Sequence, residues 1–334
     1  MKALVIHTAF GLGNLDVVDR PDPTPGPGQV LVRVRAASLN YRDLLIAKGL
    51  YNPKLAFPRV LGSDAAGEVA AVGTGVTRWQ PGDRVAGCFM PLWHDGLITD
   101  AVAKSTLGSD RDGALAELVV FDESSVVRVP EHLTYEEAAT LPCAAVTAWN
   151  ALTAAGAGPG TTVLLQGTGG VSIFALQLAK ALGARALITS SSDEKLSRAL
   201  ALGADAGMNY KTNADWDKWA RQQTGGSGVD MVIEVGGAGT LDRSLKAVRT
   251  GGHVALIGVL AGGTAFNPLL VLMKAVRLQG VFVGSRAMFE AMNAVIATNQ
   301  IRPVIDRVFP LADASAAFKY LESGAHFGKV VIGV

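Results

Sequence analysis

Residues 161–183, TTVLLQGTGGVSIFALQLAKALG, place a strand, a glycine turn and a helix in immediate succession. The run 161–166 is short, apolar and β-branched, as a buried parallel strand requires. Gly167, Gly169 and Gly170 then permit a tight turn and a close approach of backbone to whatever sits above it. From Val171 on, Phe174, Ala175, Leu178, Ala179 and Leu182 fall on one face of a helix. A helix start carries unpaired N–H groups and the positive end of the helix dipole, a natural seat for phosphate. A glycine pattern alone says little, but this one has the flanking strand and helix that a dinucleotide fingerprint needs. Gly167, Thr168, Gly169, Gly170, Val171 and Ser172 are therefore candidate cofactor contacts. The competing account is a purely structural strand-to-helix turn. Ser172 stands where the fingerprint has its third glycine, which predicts slightly looser packing of helix on strand there.

The chain around this turn has two rhythms. Up to about residue 129, short runs such as 30–35, 67–72 and 116–121 alternate or cluster apolar residues between Pro- and Gly-rich turns. The segments 21–29 (PDPTPGPGQ) and 77–85 (TRWQPGDRV) read as a surface connection and a turn into a strand. This succession predicts an antiparallel barrel or partly rolled sheet. After about residue 145, strand candidates at 161–166, 186–190, 206–210, 229–235, 253–259 and 278–283 alternate with helical stretches. Gly183, Gly203 and Gly251 read as helix stops. Six β units with five helical intervals predict an α/β fold with a doubly wound parallel sheet. The segments 301–311 and 328–334 read as strands returning to the first domain.

With 334 residues the chain is long enough for about two domains. A net charge of +1 with scattered basic residues gives no footprint for nucleic acid or an anionic membrane. Two cysteines, Cys88 and Cys143, make no disulfide framework and fit a reducing compartment. The start MKALVIHTAFG lacks the apolar core and cleavage site of a signal peptide. The most apolar stretch, 138–158, is broken by Thr140, Pro142, Thr147, Asn150 and Thr153 and reads as a buried helical segment, not a membrane span. The expectation is a soluble cytoplasmic protein.

The tip of the second strand, ALITSSSDEK (186–195), bears on which dinucleotide is bound. An NAD site usually has a carboxylate there, accepting from the ribose hydroxyls. Here the tip carries Ser190 and Ser191, with Lys195 one turn on, and these groups suit a 2′-phosphate. The local alternative is a capping box from Ser191 to Glu194, with Asp193 suited to the helix dipole. NADP(H) is favoured over NAD(H), although no arginine stands at the tip.

The stretches SLNYRDLLIAKGLY (38–51), VLGSDAAGEVAAVGTGV (60–76), PGDRVAG (81–87), LPCAAVTAWNAL (141–152), LLQGTGGVS (164–172) and GKVVI (328–332) together resemble the medium-chain dehydrogenase/reductase superfamily. Their order and spacing carry the resemblance over nearly the whole chain. It implies a GroES-like catalytic domain at 1–145, completed by 287–334, and a Rossmann NADP(H)-binding domain at 146–286, with the active site in the cleft separating them. It also implies a homodimer or tetramer joined near 278–284. Further cofactor contacts implied by the family are Asn40, Thr147, Tyr210, Gly236, Gly237, Gly258, Val259, Phe282, Val283, Gly284 and Lys329.

Zinc alcohol dehydrogenases of this superfamily hold their catalytic metal with a cysteine, a histidine and a second cysteine. At those positions this chain has Asn40, Ser63 (in Gly62-Ser63-Asp64) and Cys143, and Arg42 stands at the relay hydroxyl's position. Carboxamide and hydroxyl are poor zinc ligands, and the four-cysteine structural zinc lobe is absent from the sequence, so no zinc is expected. The chain is similar to the zinc-independent branch, which includes quinone oxidoreductases and enoyl reductases. There hydride passes from NADPH to the β-carbon of a conjugated carbonyl, and hydrogen bonds hold the enolate oxygen. Asn40 and Tyr51 are the candidates for that work, Tyr51 as proton donor. Tyr51 also reads as a pocket wall, Tyr41 as packing, Asp43 and Asp64 as salt-bridge partners of arginines, and Cys143 as an inert thiol. Phe89, Met90 and Trp93, with Tyr51 and Cys143, are the candidate substrate pocket. Two rivals remain: alcohol/ketone oxidoreduction within the same superfamily, and a dinucleotide-binding protein with little turnover.

Overall fold

The computed structural model describes residues 1–258, 260 and 268–334. The chain divides into two compact units, Met1–Val146 with Gly284–Val334, and Thr147–Val283. In the first unit, β1 (Lys2–Ile6) pairs antiparallel with β2 (Leu15–Asp19). The long strand β3 (Gln29–Leu39) runs into helix α1 (Tyr41–Ala47). Strand β4 (Arg59–Val60) joins the other side of β1, and β5 (Asp64–Val72) and β6 (Arg84–Gly87) form a meander with β3. Past the short helix α2 (Asp100–Ala103) come β7 (Leu118–Asp122) and β8 (Val126–Arg128).

Strand β3 shows why this sheet rolls. One edge pairs with β5 along its length, with register shifts between Leu31 and Val32 and between Val34 and Ala36. Its other edge pairs with β7 only from Gln29 to Arg33. Such shifts bend a strand and increase its twist. Val30, Val32, Val34, Ala36 and Ala37 are each 2% exposed or less, the alternation that follows from one packed face.

The apolar stretch 138–158 is helical as far as Ala154, and 155–158 are turn and loop. It is divided into α3 (Tyr135–Ala139), a π-helical turn (Leu141–Ala145) and α4 (Val146–Ala154). Thr134 and Glu137 form a capping box at the start of α3.

The second unit holds a six-stranded parallel sheet in the order β11-β10-β9-β12-β13-β14. The strands are β9 (Thr162–Gln166), β10 (Arg185–Ser190), β11 (Ala206–Asn209), β12 (Val229–Glu234), β13 (Val248–Leu256) and β14 (Arg277–Gly280). Between them run α5 (Gly170–Ala181), α6 (Asp193–Ala201), α7 (Trp216–Gln222), α8 (Ala238–Ala247) and α9 (Pro268–Met273). The order reverses between β9 and β12, which makes the sheet doubly wound. Val163, Leu164, Leu165, Val232 and Ile233 are wholly buried, as unalternating central strands require. Each such side chain contributes about 1.5–3 kcal/mol relative to its exposed state.

Several boundaries differ from the sequence reading, most of all around the last two strands, where the one expected at 253–259 spans 248–256. Gly251 is not a helix stop: α8 ends at Ala247, and Gly251, at φ 69°, lies inside β13, which starts at Val248. The chain enters this strand directly, and the Gly251 N–H donates to the Lys274 carbonyl at 2.7 Å. The sixth strand stops at Gly280 instead of 283, because Val283 turns the backbone to φ 57°. Gly183 and Gly203, at φ 81° and 100°, do follow their helices.

The chain then returns to the first unit through α10 (Arg286–Thr298), β15 (Ile305–Pro310), α11 (Ala314–Glu322) and β16 (Lys329–Gly333). Strand β16 pairs antiparallel with the Ala36–Leu39 end of β3, where β7 leaves off, and β15 pairs parallel with β16. The tail thus completes a seven-stranded sheet whose other strands lie at the start of the sequence.

Candidate functional site

The glycine turn joins β9 to α5. Gly167 is at φ 70°, a conformation L side chains rarely adopt, and a Cβ built on Gly167 or Gly169 meets nothing within 4 Å. Packing therefore does not explain the glycine at 169; the space above it is open. Gly169 occupies the N-cap position with no side chain capping the helix, so the first N–H groups of α5, from Gly170, Val171 and Ser172, keep their donor capacity. Thr168 is 6% exposed. Ser172 is absorbed without disturbance, since its hydroxyl donates to the Gln166 carbonyl at 2.6 Å and ties the helix to the end of the strand.

Under this turn lies a polar centre that no local sequence pattern marks. Gln166 and Glu234 end the neighbouring strands β9 and β12. Glu234 is wholly buried. Its Oε1 accepts from Gly236 N–H (2.8 Å), Gly237 N–H (2.9 Å) and the Thr240 hydroxyl (2.6 Å). Its Oε2 accepts from Gln166 Nε2 (2.8 Å) and the Ser244 hydroxyl. The amide groups of Gly236 and Gly237, expected to face the cofactor, are thus directed at this carboxylate. A Cβ on Gly236 would sit 2.2 Å from Thr240 Oγ1, so glycine is required there by packing.

At the tip of β10 the cap of α6 falls one residue later than expected. Ser192, not Ser191, accepts from the Lys195 N–H, at 3.3 Å. Ser190 is buried and its hydroxyl accepts from Ser192 N–H at 3.3 Å, while Ser191 and Lys195 are half-buried. Asp193 accepts from Asn209 Nδ2 at 2.8 Å. Tyr210 is 40% exposed, and its N–H donates to the Ser190 carbonyl at 3.0 Å, which brings it to the same strand tip.

Beyond β14, Val283 holds a left-handed backbone that costs a β-branched residue free energy, and such strain persists only where neighbours fix it. Asn150 on α4 does so, donating Nδ2 to the Val283 carbonyl at 2.7 Å. Phe282 is 37% exposed, and Thr147 is buried. Gly284 is demanded by packing, since its Cβ would approach Val146 Cγ1 to 2.7 Å. A Cβ on Gly258 would lie 1.9 Å from the Val235 carbonyl oxygen. Val259 lies outside the described residues.

In the first unit the three positions that bind zinc in other members do come together. Asn40 caps α1, and its Nδ2 lies 3.5 Å from Ser63 Oγ. Ser63 donates to Asp64 Oδ1 at 2.7 Å, and the Cys143 N–H donates to Asp64 Oδ2 at 3.2 Å. From β16, Lys329 extends its ammonium to Asn40 Oδ1 (2.6 Å) and the Leu39 carbonyl (2.7 Å). Asp43 accepts from the Asn40 N–H at 2.8 Å and faces Arg42 Nη1 at 3.6 Å. Arg42 donates to the Leu107 carbonyl at 2.9 Å and lies between two aromatic rings, 4.9 Å from Tyr51 and 4.6 Å from Phe89.

Burial dominates the electrostatics of this cluster. It pushes the Asp43 carboxyl up to about 6 against the opposing pull of Arg42, and raises Asp64 against that of Lys329. Burial, and then Asp64, raise the Cys143 thiol well above its ordinary range, and burial takes Cys88 up to about 12. Both thiols are therefore poor nucleophiles as they stand. Asp43 has the arginine partner expected of it, whereas Asp64 is held by Ser63 and a backbone amide. Tyr51 is 37% exposed and Tyr41 42%, but Met90 and Trp93 are interior side chains at 1% and 5%. A separate cavity of about 510 Å³ in this unit is lined by Arg20, Asp22, Arg111, Asp112 and neighbours, and by none of the candidate site residues.

Among the described residues no helix is long and apolar enough to cross a membrane, and no group of three histidine, cysteine or acidic side chains is placed to hold a metal.

Known proteins match both units. Residues 26–131 fit the family of the alcohol dehydrogenase GroES-like domain, and residues 170–298 that of zinc-binding dehydrogenases. A zinc-type alcohol dehydrogenase-like protein of Schizosaccharomyces pombe is 46% identical over 316 residues, 92% of this chain and 91% of its own. An acryloyl-coenzyme A reductase of Metallosphaera sedula is 32% identical over 99% of both chains, and a quinone oxidoreductase of Rattus norvegicus 31% identical over 93% and 90%. The structure of an NAD-dependent alcohol dehydrogenase superposes with a TM-score of 0.92 at 37% identity, covering 100% of both chains. A mycobacterial protein complexed with NADPH does so at 0.84 and 29%, again over 100% of both. Because the likeness runs end to end and includes the sheet order as well as the sequence, the chain is an oxidoreductase that belongs to the medium-chain dehydrogenase/reductase superfamily.

Proposed function

We propose that this protein is a zinc-independent, NADP(H)-preferring oxidoreductase that delivers hydride to a conjugated carbonyl compound of the enone or quinone class. The observation that carries this reading is the state of the three metal positions. The Asn40 carboxamide oxygen is engaged by an ammonium at 2.6 Å, the Ser63 hydroxyl donates to a carboxylate, and Cys143 is the one soft donor of the three. Zinc needs deprotonated N or S donors and does not fit a donor set crowded by a fixed cation.

The dinucleotide, by contrast, fits the second unit. The open N-terminus of α5 with Gly167–Gly170 would hold the pyrophosphate, and Ser191, Lys195 and Tyr210 would hold a ribose phosphate. Bound there, the reduced nicotinamide would supply hydride to a conjugated carbonyl compound, whose carbonyl oxygen would gain negative charge. Asn40 Nδ2–H and the Tyr51 hydroxyl are the donors offered to that oxygen, and Tyr51, with solvent access, is the group that passes a proton on. The acryloyl-coenzyme A reductase and quinone oxidoreductase among the relatives act on such conjugated carbonyls, in line with this reading.

Alcohol/ketone oxidoreduction is the second reading, favoured by the alcohol dehydrogenases among the relatives. Metal analysis of the purified protein, with NADPH assays on 2-cyclohexen-1-one and cyclohexanone, separates the two. Stoichiometric zinc, or turnover of the saturated ketone alone, would sink the first. Tyr51→Phe is expected to lower kcat on the enone by roughly 10²-fold or more while leaving NADPH affinity intact.

We also infer a homodimer through β14. It is the edge strand of the second sheet, and the adjoining α9 exposes Leu269, Leu272 and Met273 at 53%, 75% and 72%. Leu272→Glu should convert the dimer to monomer in sedimentation; a wild-type monomer would refute this arrangement.

A further inference from the structure

Lys329 is 3% exposed, and burying an ammonium is costly unless every proton finds a partner. Its strand β16 lies against the end of β3, with Val330 opposite Leu39. This register places the ammonium on the Leu39 carbonyl at 2.7 Å and on the Asn40 side chain at 2.6 Å. An ammonium has only donors, so the amide atom it touches must be the oxygen. The amide is thereby fixed with its nitrogen pointing away from Lys329. Ser63 Oγ, 3.5 Å from that nitrogen, can engage one of its two hydrogens. The neighbouring Asp64 carboxylate also draws on this amide group, so a ligand oxygen would compete with it for the N–H.

We propose that Lys329 is a positioning residue for carbonyl reduction. Its buried ammonium grips Asn40 Oδ1, fixes the orientation of the carboxamide and polarises it, so that Asn40 Nδ2–H stabilises the developing oxyanion where other members use a metal. The proposal rests on the carbonyl-reductase reading above and adds to it the group that acts through Asn40. Asp43 and Asp64 balance the positive charges of Arg42 and Lys329, which keeps the cluster near neutral and lets it stay buried. A positive charge drawing density from the amide oxygen makes the N–H a stronger donor.

The test uses the full-length protein with NADPH and 2-cyclohexen-1-one, comparing wild type, Lys329→Met, Asn40→Asp and the double variant. Asn40→Asp leaves Lys329 an oxygen to grip but removes the N–H donor. It should stay folded by circular dichroism and lose about 10²–10³-fold in kcat, the usual cost of one oxyanion donor. Lys329→Met should lower kcat at saturating NADPH by a comparable factor, with the NADPH Kd changed less than about threefold. Because Lys329 acts through Asn40, adding its substitution to Asn40→Asp should cost nothing further.

An Asn40→Asp enzyme with undiminished kcat overturns the proposal. So does a Lys329→Met enzyme that loses NADPH affinity but keeps kcat, which would make Lys329 a cofactor contact. Additive losses in the double variant overturn the coupling. If Lys329→Met fails to fold, Lys329→Gln, which keeps a donor but not the charge, takes its place in the same comparison, and an undiminished kcat there overturns the role of the ammonium. A wild-type enzyme active only on cyclohexanone overturns the enone reading, and the same variants then decide Lys329 on that substrate. A protein that reduces no carbonyl overturns both.

Discussion

Two buried carboxylates, Glu234 in the second unit and Asp43 in the first, are held in opposite ways. Glu234 in the second unit accepts five hydrogen bonds, all from neutral donors, so both oxygens are engaged. Asp43 in the first unit accepts one from a backbone amide, while its Oδ1, among the described residues, has no hydrogen-bond partner and faces Arg42 at 3.6 Å. Neutral dipoles aimed at a charge stabilise it without importing a second buried ion. The Glu234 centre is therefore a structural anchor, which pins the turn after β12 beside the glycine turn after β9. The Asp43 cluster is balanced by opposing ions, and burial still raises its carboxyls.

The contrast breaks most sharply at Glu234. Glu234→Ala strands the donors of Gly236, Gly237, Thr240, Gln166 and Ser244, and should cost roughly 3–5 kcal/mol in urea unfolding, with weakened NADPH binding. Glu234→Gln keeps an acceptor and should cost about 1–3 kcal/mol. A variant as stable as wild type would show that the centre anchors nothing.

Asp43 should behave in the reverse sense. Its carboxyl is raised from 3.8 to about 6 in the folded protein, so the folded state holds the proton more tightly than the unfolded chain. Its contribution to stability is present below about pH 4 and falls as pH rises to about 6, by up to about 3 kcal/mol. Asp43→Asn should remove that slope and be no less stable than wild type at pH 7. Equal pH dependence in the two proteins would remove the distinction between the clusters.

Smaller effects sharpen the picture in the second unit. Lys195→Ala should raise the Kd for NADPH about tenfold and leave that for NADH nearly unchanged, read by fluorescence titration. Equal loss for both cofactors would assign Lys195 a role other than the 2′-phosphate. Ser172→Ala should cost about 1 kcal/mol, since it leaves the Gln166 carbonyl without its hydroxyl donor.

Much of the fold was legible in the sequence. The parallel strands announce themselves as unbroken apolar runs, and the glycine turn sits between a strand and a helix of opposite periodicity. These are local signals, and they placed β9, α5 and the sheet order's framework correctly. Boundaries shifted where local and distant demands competed, as at Gly251, whose left-handed backbone serves a strand and not a helix end. The Ser191–Glu194 capping box failed for a related reason. Three consecutive serines offer the same cap, and only the path of the strand decides that Ser192 takes it.

The candidate site was legible by residue type and hidden in its connections. Asn40, Ser63 and Cys143 identified themselves by standing where metal ligands were expected. By itself the sequence determined the family and the α/β architecture, because the order and spacing of its motifs and the rhythm of its strands and helices are written along the chain. Only the tertiary structure decided what those side chains face. Lys329 reaches Asn40 across 289 residues of sequence, and Glu234 meets Gln166 across 68. Sheet pairing sets such contacts, and the charges they bring together acquire their properties from burial, which no local pattern records.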